Sequence, residues 1–415
     1  MSAVSTELFV YLGAIYILYP LLTTLLRKIY LQDFLAYILT GLILGFLFGG
    51  WKGTGLAATE TGNIQNPVLY FLVYAGMIFF FLNLGFNLNF TIFKSIDAKS
   101  LQRTITYFLL IFLLMGVATF FLVFRRDFIL TNLFISAFIS INIGPVILSF
   151  FNKHKEMKKY LTSQLQIAVI LDIIAICIFA VFHTISQNPG QNPLWTNMLF
   201  VFAFAFATFV LVYPPSAGRI TSGLYNLSRE SSLALQLGII ILLFYVGAQS
   251  GISILFLAIW LGILFKLFAV RGEAEIKKRF FSGVALLYPL PFADVGRIVY
   301  QQWNYSLWFW LYLNLIFVIL LLGYFIFSIY LKKSDPESRL NSMVLFSRGE
   351  LTVLILWLVY QTNLLSTQVF TAAIAAVFLT CIVARFFSAR WVKGLLAGED
   401  EKLSELRDSI RPGAG

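Results

Sequence analysis

Charged side chains are scarce in this sequence: they make up 12% of its 415 residues, whereas 60% of the residues are hydrophobic. Soluble globular domains are about 25% charged and about 45–50% apolar. A soluble enzyme, a DNA-binding module and a secreted domain held by disulfides are therefore excluded. Two cysteines and two histidines are also too few for a disulfide framework or a histidine-rich metal site. We predict a polytopic membrane protein without a cofactor.

Apolar runs long enough to cross a bilayer recur along the chain. A hydrocarbon core of about 30 Å needs about 20 apolar residues in a helix, and these runs are too long and too continuous for barrel strands. The sequence therefore predicts an all-α fold with about thirteen transmembrane helices. The candidate spans are residues 7–26, 33–50, 67–87, 101–124, 130–151, 161–186, 194–213, 231–249, 252–270, 281–299, 304–331, 341–361 and 368–390.

The distribution of Lys and Arg supports this number of spans. The net charge is +11, but the basic residues lie in short clusters between apolar runs and not in a patch interleaved with exposed aromatics, so we predict no nucleic-acid partner. Cytoplasmic loops collect Lys and Arg, and here the basic clusters follow the odd-numbered spans. Only Lys52, Arg125 and Arg126 fall in the even-numbered loops. We predict an outer N-terminus, a cytoplasmic C-terminus and attraction of the basic loops to anionic headgroups of the lipid bilayer.

The membrane region accounts for nearly the whole chain. Residues 1–390 form the predicted transmembrane domain, and residues 391–415 form a short polar cytoplasmic tail. The loops are short as well, so we expect the function to lie within the membrane. Short loops, and a first apolar run without a small-residue cleavage site, favour a bacterial inner (plasma) membrane as the location.

One carboxylate lies in the middle of an apolar run. Asp172, in the sixth span, has only apolar residues for five positions on either side. An ionisable residue at membrane depth is costly and is by default a functional hypothesis. Because desolvation opposes the charged form of a carboxyl group, such a residue can bind and release a proton, or hold a metal cation once it is deprotonated. The alternative is a structural acid that hydrogen-bonds or pairs helices.

Two further acids lie at membrane depth beside an arginine. Glu350 follows Arg348 and Gly349, and the three residues can make a local ion pair at a loosened point of the twelfth span. A place in the ion pathway and a purely structural pair both stay open for them. Asp294 precedes Arg297 by three residues, so the two charges can partly neutralise each other on one helix face. For this second pair we favour a kinked helix with its own charge pair.

The fifth span is interrupted by polar and helix-breaking residues. Asn142, Gly144 and Pro145 lie close together, and proline removes a backbone donor while glycine loosens the helix. Carbonyl groups freed there, together with Ser140 and Asn142, could ligate a cation or accept one from Asp172. A simple proline kink is the alternative.

Corresponding interruptions in the two halves favour an internal repeat. If the seventh span is a linker, spans one to six and spans eight to thirteen form two halves with an offset of seven. The third span ends FFFLNLGFN and the tenth contains PLPFADVGR, and both show Phe, about three residues and then Gly. The interrupted fifth span corresponds to the twelfth, with its Arg-Gly-Glu. Since transporters built from inverted repeats carry broken helices at corresponding positions, we predict two inverted repeats with broken fifth and twelfth helices.

These features resemble the cation/proton antiporter superfamily, in particular its Kef-type sodium or potassium/proton exchangers, over about residues 7–390. FLNLGFNLN, residues 81–89, is similar to the family's F-L-x-G-L-E-L-D signature, with Asn87 and Asn89 in place of its two acids. PLPFADVGR resembles the family's P-L-F-F-x-x-V-G stretch. SRGEL, residues 347–351, is similar to its R-G-E-F and is the most specific match.

The resemblance implies a fold, a site and a mechanism. Family members look like thirteen-helix proteins with an outer N-terminus, two crossed and partly unwound helices, and a homodimeric assembly. Asp172 falls on the family's transport aspartate, and the cluster from Asn142 to Pro145 falls on its unwound ion-binding segment. The implied function is a secondary antiporter in which protons compete with a monovalent cation (Na⁺ or K⁺) for this carboxylate. Ser140 would complete the ion shell, and one half would rock against the other to give alternating access.

The sequence departs from the family pattern at three places, one of which is the missing acid of the fifth-span motif near Gly144. Leu171 stands where family members usually carry Asn, Asp or Gln, and the eleventh span has no cation, with Leu320 or Leu321 in its place. These departures keep a second hypothesis open: a divergent member that exchanges no ions and acts as a membrane subunit, a channel-like effector or a scaffold for a soluble regulatory partner. An intramembrane enzyme is not predicted, because no HExxH, GxSxG or paired-aspartate protease motif is present.

Overall fold

Helices account for all the regular structure in the residues that the computed structural model describes. Those residues are 6–29, 31–48, 67–87, 98–141, 158–187, 238, 245, 254–268, 281–301, 306–331 and 346–386. The longer helices are α1 Thr6–Lys28, α2 Asp33–Phe48, α3 Pro67–Asn87, α4 Ala98–Ala118, α5 Phe128–Ile139, α6 Lys158–Gln187, α7 Ile254–Phe268, α8 Pro289–Gln301, α9 Leu307–Leu331, α10 Glu350–Gln361 and α11 Thr367–Phe386. A π-helical turn, Thr119–Val123, extends α4.

Six of the described helices are long and apolar enough to cross a membrane, namely α1, α3, α4, α6, α9 and α11, while α2, α5 and α10 are shorter apolar helices. The chain is therefore an integral, multi-pass membrane protein, as predicted. Helices α1 to α6 fall on the first six predicted spans, and α7 to α11 fall on the ninth to the thirteenth. The seventh and eighth spans lie outside the described residues, apart from residues 238 and 245, as does the tail. The number thirteen and the orientation stay predictions.

The described helices pack in two groups. The first helix group contains α1, α2, α3, α7 and α8, with its main contacts between α2 and α8 and between α3 and α7. The second helix group contains α4, α5, α6, α9 and α10. The groups meet chiefly where α8 contacts α10 and where α6 contacts α7. Each group takes helices from both predicted repeats, so the contacts do not divide the described helices along the two sequence halves. The expected movement of one half against the other stays a prediction.

Helices α2 and α8 approach so closely that each carries a glycine at the contact. A Cβ atom on Gly41 of α2 would lie 1.9 Å from the carbonyl oxygen of Ala293 on α8. In return, a Cβ atom on Gly296 of α8 would lie 2.0 Å from the carbonyl oxygen of Ile38 on α2. On both helices the glycine follows the carbonyl residue by three positions. The contact is therefore reciprocal, and no larger residue fits at either glycine without displacing backbone.

Helices α3 and α7 make the same reciprocal contact. Cβ atoms on Gly85 and Gly262 would each lie 2.0 Å from a carbonyl oxygen of the other helix, those of Ile259 and Leu82. Again each glycine follows its carbonyl residue by three positions. α2 and α7 are the second and ninth predicted spans, and α3 and α8 are the third and tenth, so each of these two sets holds spans that correspond in the two predicted halves. Replacing α2 and α8 by their counterparts α7 and α3 gives the second helix pair. This correspondence supports the predicted internal repeat.

Close backbone contact is the main way to join helices in a bilayer. Lipid tails are as apolar as leucine, so helix association depends on van der Waals packing and hydrogen bonds rather than on removing apolar surface from water. Small residues allow the backbones to approach, and Cα–H groups can then contact carbonyl oxygens of the neighbouring helix. The two glycine pairs therefore form the structural centre of the first helix group.

The two spans with predicted interruptions are both broken in the structure. α5 ends at Ile139, and Ser140 leaves the helix with a ψ of 137°. α10 begins only at Glu350, after the non-helical residues 347–349. Both helices therefore stop short of the length that crosses a membrane. Three residues of the predicted fifth-span interruption lie outside the described residues: Asn142, Gly144 and Pro145.

Replacing Gly296 by alanine is expected to lower thermal stability, because the added methyl group would overlap the Ile38 carbonyl oxygen and separate α2 from α8. Overpacking of this kind costs about 1–3 kcal/mol. The matched control is Gly13→Ala in α1, where no atom lies within 4 Å of an added Cβ. Thermal unfolding in detergent should give a lower midpoint for Gly296→Ala and an unchanged or higher one for Gly13→Ala. Equal midpoints would contradict the reciprocal contact.

Candidate functional site

Asp172 lies midway along α6, beside the point where α5 ends. The Ser140 hydroxyl donates a hydrogen bond to its Oδ1 at 2.8 Å, and the backbone N–H of Ile141 donates to the same oxygen at 3.3 Å. Ser140 and Ile141 are buried, while Asp172 is partly exposed. The structure therefore brings Ser140 and the intramembrane carboxylate together, and their joint role in binding an ion stays a prediction.

The end of α5 explains this geometry. The extended ψ of Ser140 turns the chain out of the helix, so the following N–H no longer has a carbonyl partner in the preceding turn. That N–H and the Ser140 hydroxyl both point at the Asp172 carboxylate. Oδ1 is thus anchored by two donors, whereas Oδ2 has no hydrogen-bond partner among the described residues. One anchored oxygen and one available oxygen are what a site for an exchangeable proton or cation needs.

Arg348 lies at the break before α10 and is fully buried. Its guanidinium donates to the Tyr107 hydroxyl of α4 at 2.8 Å and to the Ser347 carbonyl oxygen at 3.4 Å. Its positive charge also acts on the Asp172 carboxyl group. Sequence reasoning paired this arginine with Glu350 and missed Tyr107, which stands in an apolar span without any local signal of a polar role.

The thiol of Cys381 also contacts the break. It is buried on α11 and donates to the Arg348 carbonyl oxygen at 3.1 Å, with the amide oxygen of Gln32 at 3.9 Å on its other side. A backbone carbonyl released by the interruption of the twelfth span therefore has a side-chain partner. Gln32 directly precedes α2, so this contact connects the break to the first helix group.

Glu350 is the first residue of α10 and is partly exposed. A carboxylate in the first turn of a helix interacts favourably with the helix dipole. The carboxyl groups of Asp33 and Asp172 also act on Glu350, and their negative charges oppose its ionisation. Glu350 therefore interacts with one carboxyl group at the start of α2 and with one at the candidate site. Whether it belongs to the ion pathway stays a prediction.

Asp294 and Arg297 form the buried ion pair that their spacing predicts. The Arg297 guanidinium donates to Asp294 Oδ1 through Nε at 2.9 Å and through an Nη at 2.7 Å, and both residues are 2% exposed. The other Nη donates to Gln301 at 2.7 Å. Asp294 Oδ2 accepts a hydrogen bond from the Trp357 indole N–H of α10 at 2.8 Å. This tryptophan was not predicted, because its spacing within an apolar helix looks like that of any core aromatic residue.

The ligand chemistry of the site is limited to oxygen. Among the described residues, no group of three or more His, Cys, Asp or Glu side chains could hold a metal ion. Asp172 and Ser140 offer one carboxylate and one hydroxyl, which are hard ligands. Leu171 and Leu320 are buried, whereas Leu321, the other residue expected in place of the eleventh-span cation, is partly exposed.

The chain matches a known family over most of its length. The transmembrane sodium/hydrogen exchanger family matches residues 13–393. Among solved structures, the sodium proton antiporter MjNhaP1 from Methanocaldococcus jannaschii at pH 8 aligns with a TM-score of 0.65 and 17% sequence identity, over 92% of this chain and 98% of that one. At this identity the likeness shows the fold alone. No protein of curated function matches the chain.

Proposed function

Because the chain belongs to the sodium/hydrogen exchanger family, and so to the cation/proton antiporter superfamily, we propose that it is a secondary antiporter that exchanges protons for a monovalent cation, Na⁺ or K⁺, at Asp172. One observation carries the proposal: the carboxylate stands in the middle of an apolar helix, and the broken end of α5 turns Ser140 and Ile141 towards it. The Kef-type branch stays a prediction.

Competition for one carboxylate is sufficient for exchange. A proton and a cation each neutralise Asp172, but the two cannot be bound at once. The empty, charged carboxylate is costly to move past an apolar barrier, so the site crosses only when it is loaded. Each crossing therefore carries either a proton or a cation, and the two flows are coupled.

The ion shell would be built from oxygen atoms at the end of α5. Ser140 can turn its hydroxyl lone pairs towards a cation that binds at Asp172 Oδ2. We assign the remaining ligands to the Asn142 side chain and to backbone carbonyls near Gly144 and Pro145, which follow directly in the chain. Carboxylate, hydroxyl, amide and carbonyl oxygens suit a hard cation.

Arg348 supplies the positive charge that this chain lacks on its eleventh span. It is buried at the break of the twelfth span, and its charge acts on Asp172. A fixed positive charge stabilises the site between the release of one ion and the binding of the next. It also repels a bound cation, so release stays possible. In this proposal Gly349 provides the break, and Glu350 lies on the path to the site.

Movement of the second helix group would carry the site as a unit. Asp172 is on α6, Ser140 follows α5 and Arg348 precedes α10, and all three helices belong to that group. A displacement of this group along the first helix group would expose the carboxylate to the two sides in turn. We further propose a homodimer in a bacterial inner membrane.

A second candidate function rests on the two apolar departures. Leu171 and either Leu320 or Leu321 stand at these positions, so no polar side chain there can share the charge of Asp172. A protein of this kind would exchange no ions and would serve as a membrane subunit, a channel-like effector or a scaffold for a soluble partner. It is the conclusion to draw if the folded protein moves no protons with any monovalent cation.

Asp172→Asn is expected to reduce cation-dependent proton movement to the background of empty vesicles, because an amide cannot be protonated and carries no charge. The measurement is dissipation of a pH gradient in proteoliposomes on addition of Na⁺, K⁺ or Li⁺. Asp127→Asn is the matched control: Asp127 is exposed, caps α5 by accepting from the Leu130 N–H, and asparagine caps equally well. Measurable cation-dependent exchange in the folded Asp172→Asn variant would contradict the proposal.

Ser140→Ala is expected to raise the half-saturating cation concentration about five- to tenfold, as for the loss of one hydrogen-bonding group of about 1 kcal/mol. Ser136→Ala is its control, since the Ser136 hydroxyl is buried one turn earlier on α5 and bonds the Leu133 carbonyl of its own helix. A cation titration of proton flux separates the two variants. The same half-saturating concentration in both would show that Ser140 is no ligand.

A site with one titrating carboxylate predicts one-for-one, electroneutral exchange. The rate in proteoliposomes should therefore be unchanged, within experimental error, when a potassium diffusion potential of either sign is imposed. The measurement uses the cation found in the gradient assay, and if that cation is K⁺ the potential is set by a proton-independent anion gradient. A current that accompanies each turnover would rule out this stoichiometry.

A further inference from the structure

A buried hydrogen-bond chain joins the two helix groups away from Asp172. Its members are Gln301, Arg297 and Asp294 on α8 and Trp357 on α10. Asp294 uses one carboxylate oxygen for the arginine of its own helix and the other for the indole N–H of the opposite group. Trp357 is the largest of the fully buried side chains in the described part.

Burying the Asp294–Arg297 ion pair costs free energy that apolar packing between the helices would not cost. Removing two charges from water costs several kcal/mol per ion, and well-packed apolar residues of similar volume are often at least as stable. The pair also lies within one helix, so it does not itself join the groups. What Asp294 adds, and an apolar residue cannot, is a charged acceptor for the Trp357 N–H.

The acceptor lies beside the glycine contact that fixes α8. Asp294 stands between Ala293 and Gly296, the two residues of α8 that contact the backbone of α2. Its position is therefore set by the close backbone packing of α2 and α8. Trp357, in contrast, is on the helix that starts at the break. It lies seven residues, or about two turns, after Glu350, so the two residues share one side of α10.

We propose that Trp357 is a positioning residue for exchange: its hydrogen bond to Asp294 holds α10, and with it Arg348 at the break, against the first helix group in this conformation, and it breaks each time the second group moves. The inference rests on the proposed function, because only a moving site needs a bond that can be released. A bond to a charged acceptor is stronger than a neutral one. Its rupture takes this partner from the Trp357 N–H and from Asp294 Oδ2, while Arg297 still holds Oδ1, and the loss opposes the movement.

Trp357→Phe tests the proposal, since phenylalanine keeps an aromatic ring and removes only the N–H and the second ring. The maximal exchange rate in proteoliposomes should rise about three- to tenfold, while the half-saturating cation concentration stays within about twofold because the Asp172 site is untouched. Loss of packing alone would lower the rate. Trp308→Phe is the control, because Trp308 is 57% exposed on α9 and should leave both values unchanged.

A second readout does not depend on transport. Cys381 lies between the break and Gln32 of the first helix group, so it becomes accessible when the groups separate. In a Cys177→Ser background, its alkylation by a small maleimide should be about tenfold faster in Trp357→Phe than in the parent and unchanged in Trp308→Phe. Unchanged alkylation in folded Trp357→Phe, or faster alkylation with a lower exchange rate, would overturn the proposal.

A double variant removes the same hydrogen bond in a second way, without leaving a buried charge that could prevent folding. Asp294→Leu with Arg297→Met removes the acceptor and both charges together, so no unpaired buried ion remains. It should reproduce the faster alkylation of Cys381, and adding Trp357→Phe to it should give no further increase. Additive effects would overturn the proposal. If the parent protein moves no ions at all, the proposed function fails, whereas the alkylation results still decide whether this bond holds the groups together.

Discussion

The architecture depends on one constraint: in lipid, helices are held by van der Waals packing and hydrogen bonds, and packing is closest where small residues let two backbones touch. Gly41 and Gly296 in one pair, and Gly85 and Gly262 in the other, make that contact with carbonyl oxygens of the facing helix. Two geometrically equivalent glycine contacts therefore hold the first helix group together. The second group contains both broken helices and has no comparable glycine pair among its described residues. In the proposed mechanism the first group is the fixed scaffold, and the second is the group that moves with Asp172.

Much of the helix layout was predictable because hydropathy and short-range spacing determine it. Apolar runs located every described helix, and the i,i+3 spacing anticipated the Asp294–Arg297 pair. The isolated charge of Asp172 and the polar residues near Ser140 pointed to a shared site, and the structure places the two side chains in contact. These features are local in sequence, or are set by the cost of burying a charge in lipid.

The partners that come from distant helices were not predictable. Tyr107 meets Arg348 across 241 positions, and Trp357 meets Asp294 across 63; both aromatic residues look like ordinary core residues in the sequence. The division into two helix groups was missed for the same reason. Chain order divides the protein into halves, but the glycine contacts join the second span to the tenth and the third to the ninth. Only the three-dimensional packing shows which helices belong together.

The length of α6 has a consequence for the depth of its carboxylate. Its 30 residues make a rod of about 45 Å, longer than the hydrocarbon core of about 30 Å, so the helix must either tilt or extend into both headgroup layers. Asp172 is the fifteenth of these residues, at the midpoint of the rod. Tilting a rod about its centre moves its ends and leaves the centre in place. Because Asp172 lies near this pivot, its depth changes little when the helix tilts in bilayers of different thickness.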